Sequence, residues 1–190
     1  MRAGARLGEG ATVEDVTDRL LVVTVNERTA ALRLSEALWD LDRRGELAVF
    51  AAIVLAAADG TYDEVAVNCP DSVPSALDAL RKLLDAAERD EKTIAGDADY
   101  AGLVRSISGL RNVAGAALLA EVQEEDPEHL DQAVRAVEGR IFRAGRHVVN
   151  SPLQSEQRIW TLRKKASRSE GDARRRHLER ADRMTRVVRQ

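Results

Sequence analysis

Two strand–helix–strand patterns, one near residues 20–57 and one near 115–145, predict an α+β sandwich of ferredoxin-like topology. Between them lies a charged segment with helical periodicity, and the chain after Pro152 reads as helix to its end. The expected organisation is a flexible polar segment over 1–17, a ferredoxin-like domain over 18–148 carrying a helical hairpin at 70–112, and a basic C-terminal helix over 149–190.

LLVVTVN (20–26) is β-branched and apolar, the mark of a buried strand. Asn26 is placed to cap the helix that follows, whose Ala31, Leu34, Leu38 and Leu41 recur at three- and four-residue spacing on one face. Arg43 and Arg44 suit its C-terminal end, and Gly45 suits a left-handed closing residue. VFAAIVLAA (49–57) reads as a second strand, and Asp59-Gly60 as a hairpin turn into YDEVAV (62–67).

Ser72 and Pro74 open a helix striped by Leu77, Leu80, Leu84 and Ala87. A partner helix from about Asp97 to Asp99 onward carries Leu103, Val104, Ile107 and Leu110. GAALLAEVQ (115–123) then repeats the opening strand. Asp126 and Pro127 start a helix with Leu130, Ala133, Val134 and Val137 on one side, Gly139 ends it, and RIFRAG (140–145) is the last strand. In the C-terminal helix, Gly171 is a weak point.

Hydrophobic residues make up 44% of the 190, enough for a real core, but aromatics only 3%, so base-stacking platforms are excluded. The single cysteine, Cys69, excludes an internal disulfide and cysteine-based zinc motifs. The first residues lack the apolar stretch of a signal peptide, and the richest apolar run, LAVFAAIVLAAA (47–58), is too short to cross a membrane. A cytoplasmic protein is expected. From Ser155 to Gln190 there are twelve Arg and Lys against five Asp and Glu, so the other residues hold 17 of the 29 basic and 27 of the 32 acidic groups. A basic tail beside an acidic body predicts either an interaction surface or tail-on-body pairing. Lysine occurs only at 82, 92, 164 and 165, so arginine is the default cation here and weak evidence of phosphate recognition.

Residues 22–62, VVTVNERTAALRLSEALWDLDRRGELAVFAAIVLAAADGTY, and 115–145, GAALLAEVQEEDPEHLDQAVRAVEGRIFRAG, resemble the two halves of a bacterial family of unknown function catalogued as putative membrane proteins. The resemblance covers about two thirds of the chain and rests on hydrophobic pattern with glycine punctuation. The family's central insert is often apolar and glycine-rich, whereas 78–112 here is charged. The family brings no catalytic residues to carry over.

His129, His147 and His177 lie on different elements without ligand spacing, and the acids around His129 (Glu124, Glu125, Asp126, Glu128) read as a solvated helix start. No nucleophile–base pair is visible, and the glycines at 4, 8 and 10 precede a strand instead of following one. No enzyme, metal or cofactor is expected. The sheet face away from the crossover helices is more informative. Strand alternation points Val23, Val25, Leu118, Ala120, Val122 and Phe142 toward those helices, leaving Val22, Thr24, Leu119, Glu121, Ile141 and Arg143 on the other face. The insert, the tail or a second subunit must cover it.

The tail carries a narrow apolar seam of Ile159, Leu162, Ala166 and Ala173, with Trp160 beside it, continued by Leu178, Ala181, Met184 and Val188. Glu170–Arg174, Asp172–Arg176, Glu179–Arg183 and Asp182–Arg186 are acid-before-base at i,i+4, as in a self-supporting helix. The candidate interaction surface therefore joins Val22, Thr24, Leu119, Glu121, Ile141 and Arg143 to Ile159, Trp160, Leu162, Leu178 and Met184. The functional expectation is a non-enzymatic homo-oligomeric or partner-binding protein, with a regulatory ligand between subunits. The alternatives are nucleic-acid association or peripheral membrane association through the basic helix.

Overall fold

The computed structural model describes residues 18–58, 61–66, 71–89, 98–113, 115–146 and 151–188. The expected Asp59-Gly60 turn, Cys69 and His147 lie outside them. β1 (Arg19–Val25), α1 (Arg28–Arg43), β2 (Leu47–Ala58) and β3 (Thr61–Ala66) are followed by α2 (Pro74–Glu88), α3 (Ala98–Gly109) and a short 3-10 turn. β4 (Ala116–Glu124), α4 (Glu128–Ala136), β5 (Arg140–Gly145), α5 (Pro152–Ser167) and α6 (Gly171–Val188) complete the chain.

The result is an α+β fold on one five-stranded antiparallel sheet in the order β3-β2-β4-β1-β5. β4 lies between β1 and β2, and β1 lies between β4 and β5, so each strand–helix–strand unit leaves a gap that the other unit fills. Both crossover helices cover the same face. Leu34, Leu38 and Leu41 of α1 and Leu130 and Val134 of α4 pack on Val23, Val25, Leu118, Ala120 and Val122.

The opposite face is covered by the chain itself. Leu20, Val22, Phe50, Ile53, Leu55 and Leu119 pack under Leu80 and Leu83 of α2, Leu103 and Ile107 of α3, and Ile159 and Leu162 of α5. A register shift at Phe50 turns both Phe50 and Ala51 toward this side. The insert and the tail are thus the covering layers, and Val22, Leu119 and Glu121 are fully buried under them, not displayed.

β5 departs from the expected alternation by one residue. Val22 faces Phe142 and Val23 faces Ile141 across the β1–β5 pair, and opposed residues share a face. Ile141 and Arg143 therefore lie on the crossover-helix side, and Phe142 lies on the other, 37% exposed at the sheet edge. Two adjacent apolar residues gave the pattern no preference. Arg143 favours the observed register, because on that side its guanidinium reaches Glu124 at 2.7 Å and Asp131 of α4 at 2.6 Å.

Gly45 adopts φ +68 as expected, while beyond α4 the left-handed residue is Glu138. Gly139 matters for space: a Cβ there would meet Val134, Val23 and Val25 side chains at 3.1–3.2 Å. Asn26 does not cap α1. Its N-cap is Glu27, which makes no side-chain cap bond. The expected single C-terminal helix is two. α5 ends at Ser167, Gly171 at φ +54 reverses the chain, and α6 folds back on α5.

Candidate functional site

The hairpin of α5 and α6 docks where α1 runs into β2. Asp42, on the apolar side of α1 beside Leu38 and Leu41, is buried and organises this corner. Its Oδ1 accepts the Val49 backbone N–H at 2.9 Å and its Oδ2 accepts Lys165 Nζ at 2.5 Å. Lys165 Nζ also lies 5.5 Å from the Trp39 ring centroid, one helical turn back on α1. The Asp42 carbonyl accepts His177 Nε2–H at 2.9 Å. A carbonyl only accepts, so Nδ1 of a neutral His177 is left as a bare acceptor. That Nδ1 is buried without a partner. Burial outweighs the attraction of Asp42 and pulls the imidazole below the ordinary histidine range, keeping it neutral near pH 7.

Arg180, the next buried cation of α6, donates to the carbonyls of Gly45 at 2.8 Å and Glu46 at 3.1 Å, just past the negative end of the α1 dipole. Its desolvation lowers its basicity relative to free arginine. Glu125 binds Arg180 at 3.4 Å and also receives Arg183. Asp71, leading into α2, is held by Lys164 at 2.6 Å and Arg168 at 2.5 Å. Burial alone would raise the Asp71 carboxyl, but the Lys164 bond and the neighbouring cations hold it below the usual range.

These side chains enclose a cavity of about 660 Å³, lined by Glu36, Trp39, Asp42 and Arg43 of α1, by Asp71, and by Lys165, Arg168, Ser169, Glu170, Ala173 and His177 of the hairpin. Its size is that of a site for a small molecule. It lies between elements far apart in sequence, and its wall mixes one indole with paired and unpaired charges.

A second polar cluster sits under α5. Arg158 is 0% exposed and donates Nη2 to Glu121, also 0% exposed, while its Nε lies 2.8 Å from Asp18. Arg146 reaches the same Glu121 Oε1 at 2.7 Å, and Glu121 Oε2 is buried without a partner. Full burial pushes the Glu121 carboxyl up to about 8, a cost that Arg158 offsets only in part.

Of the sequence-predicted surface, Val22, Leu119, Glu121, Ile159 and Leu162 are buried, Thr24 and Met184 half-buried, and Ile141 and Arg143 half-buried on the crossover-helix side. Trp160 and Leu178 are 61% and 39% exposed, and Lys164 lies over the Trp160 ring at 4.8 Å. None of the four predicted i,i+4 pairs closes; Arg175 pairs instead with Asp172 and Glu179 of its own helix, whereas Arg158, Lys164, Lys165, Arg168, Arg180 and Arg183 go to the body. His129 pairs with Glu46 at 3.3 Å, and no group of three metal-ligating side chains occurs among the described residues. No described helix is long and apolar enough to cross a membrane.

From the sequence, Trp39 and Asp42 carry no assigned role, His177 is weighed only as a metal ligand, and Lys165 is named only among the four lysines. An acid inside the apolar stripe of α1, and lysines at 164 and 165 in an arginine-rich tail, were the available signals. No protein-family model matches the chain, and no curated protein or solved structure shows significant similarity to it.

Proposed function

We propose that the chain is a non-enzymatic binding protein of ferredoxin-like architecture that takes up a small polar molecule between α1 and the C-terminal hairpin. The observation that carries this reading is the cavity of about 660 Å³ walled by Trp39, Asp42, Lys165 and His177. The interleaved strand order β3-β2-β4-β1-β5, with α1 and α4 on one face, supports the architecture. The non-enzymatic part is supported by the pairing of the cavity's central charges, Asp42 with Lys165 and Asp71 with Arg168.

For the nucleic-acid alternative, pairing leaves only Arg163, Arg174, Arg176 and Arg186 of the described tail without an ion pair. Arg158, Lys164, Lys165, Arg168, Arg180 and Arg183 already face carboxylates or carbonyls of the body. Phosphate would have to displace partners that are tethered in place.

Trp39 and Trp160 are the two tryptophans, so Trp160→Phe leaves Trp39 as a fluorophore on the cavity wall. Titrating that variant with a library of small polar metabolite-like compounds should give saturable changes in Trp39 emission for a subset. Those changes should disappear in a Lys165→Met background whose fold is checked by circular dichroism. A library producing no saturable change would refute the reading.

A further inference from the structure

We propose that the molecule taken up in this cavity is a small organic cation bearing amine or guanidinium groups, a deepening that rests on the binding reading above. The wall pairs most of its charges internally and leaves a few groups unpaired. Of its four carboxylates, Asp42 is bonded to Lys165, and Asp71 to Lys164 and Arg168. Of its three cations, Lys165 and Arg168 are those same partners, and Arg43 pairs with Asp40. What remains is Glu36 and Glu170, whose side chains have no partner among the described residues. With Asp40 and Lys164 included, five carboxylates face four cations, so the excess is one negative charge, and the two carboxylates without a partner are Glu36 and Glu170.

Those two carboxylates stand on different walls. Glu36 projects from α1, one turn before Trp39, and Glu170 sits in the turn between α5 and α6. A guest with a cationic group at each end can meet both, and one with a single group can meet either. An anionic guest would face two like charges, and the wall cations it could reach already serve carboxylates. Two neutral groups of the wall are buried without a partner, His177 Nδ1, an acceptor that calls for an N–H or O–H donor, and Trp39 Nε1–H, a donor that calls for an acceptor, so it is the carboxylates that decide the sign of the guest. Trp39 supplies an aromatic surface suited to an alkyl-ammonium chain. Because Glu36 and Glu170 are both exposed, the attraction is screened and falls with salt.

Three probes share one carbon chain and differ in charge: 1,5-diaminopentane, 1,5-pentanediol and glutarate. Isothermal titration calorimetry of the full chain, at about pH 7.5 and low salt, should show saturable binding of the diamine alone. Glu36→Gln and Glu170→Gln should each weaken it by about three- to tenfold. Glu88→Gln, at the exposed end of α2, should leave it unchanged. Glutarate or the diol binding at least as tightly as the diamine, with loss in Lys165→Met, would overturn the cation assignment while leaving the binding reading intact. Diamine binding unaffected by both cavity variants would overturn it as a surface charge effect. Silence from all three probes would also overturn it, and the Trp39 titration then decides independently whether the cavity binds anything.

Discussion

Glu121 makes a decisive test of how this core handles charge. Two guanidinium groups converge on its Oε1, while its Oε2 is buried without a partner. One view makes it an ionised carboxylate in a buried pair, and removing the charge should then cost about 3–5 kcal/mol by stranding Arg158 and Arg146. The other makes it a protonated acid at neutral pH, because full burial pushes it up to about 8 from its ordinary 4.5. In that case Glu121→Gln is nearly isosteric with the resident species, so the two proteins should agree within about 1 kcal/mol near pH 4.5, and at pH 6 the variant should already be ahead by about 2 kcal/mol because the unfolded wild-type carboxyl is ionised there. A group whose folded pKa is raised contributes stability that is complete below the unfolded value and is lost as pH climbs to the folded one. At about 1.4 kcal/mol per pH unit, wild type should lose about 2–3 kcal/mol between pH 6 and pH 9 that the variant keeps. His177 acts in the opposite sense, since its lowered pKa supports the fold above about 6.5 and costs stability below it. Comparing the two proteins at each pH cancels that contribution. Urea denaturation at about pH 6, 7.5 and 9 reads the difference directly. Parallel profiles with the variant already several kcal/mol weaker at pH 6 would show an ionised pair and refute the protonated one.

Two other predictions concern the docking of the hairpin. Gly45→Ala should cost more than Gly171→Ala although both sit at positive φ. At Gly45 (φ +68) a Cβ would meet Ala173 Cα and O at 2.9 Å, whereas at Gly171 (φ +54) it meets nothing within 4 Å. Thermal unfolding should show a loss of about 1 kcal/mol for Gly171→Ala and about 2–4 for Gly45→Ala, and equal losses would mean that α6 does not pack there. Asp42→Asn strands Lys165 Nζ, whose side chain is 9% exposed, and should cost about 2–4 kcal/mol by urea denaturation. Adding Lys165→Met should recover part of that loss, and additive losses would argue that the pair is not coupled.

The elements were legible because backbone periodicity is a local property. The stripe Leu34, Leu38, Leu41 required a helix with one buried face, and LLVVTVN required a strand, whatever lay elsewhere. The interleaved order of the two halves followed from repeating that unit in one sheet. β5 slipped by one residue because Ile141 and Phe142 are both apolar, and the choice between faces fell to Arg143, whose partners Glu124 and Asp131 sit on other elements. Charge was the property that the sequence hid, for a physical reason. Along a helix the visible partner of an arginine is the acid three or four residues away, but such a solvated pair contributes only a few tenths of a kcal/mol. A carboxylate already withdrawn from water by the fold attracts the same cation much more strongly. That is why Lys165 reaches Asp42, 123 residues away. The legible trace of such long-range pairs is polarity inside apolar stripes. Asp42 interrupts Leu38 and Leu41, Glu121 interrupts the strand of Leu119 and Val122, and Arg158 and Lys165 interrupt the seam of Ile159, Leu162 and Ala166. Asp42 and Lys165 need one another, since neither can stay ionised alone in the core, and Arg158 is met by Glu121 and Asp18 together. Six cations of the tail are therefore counter-charges for the acidic body. The charge left over, at Glu36 and Glu170, is what the cavity can offer to a guest.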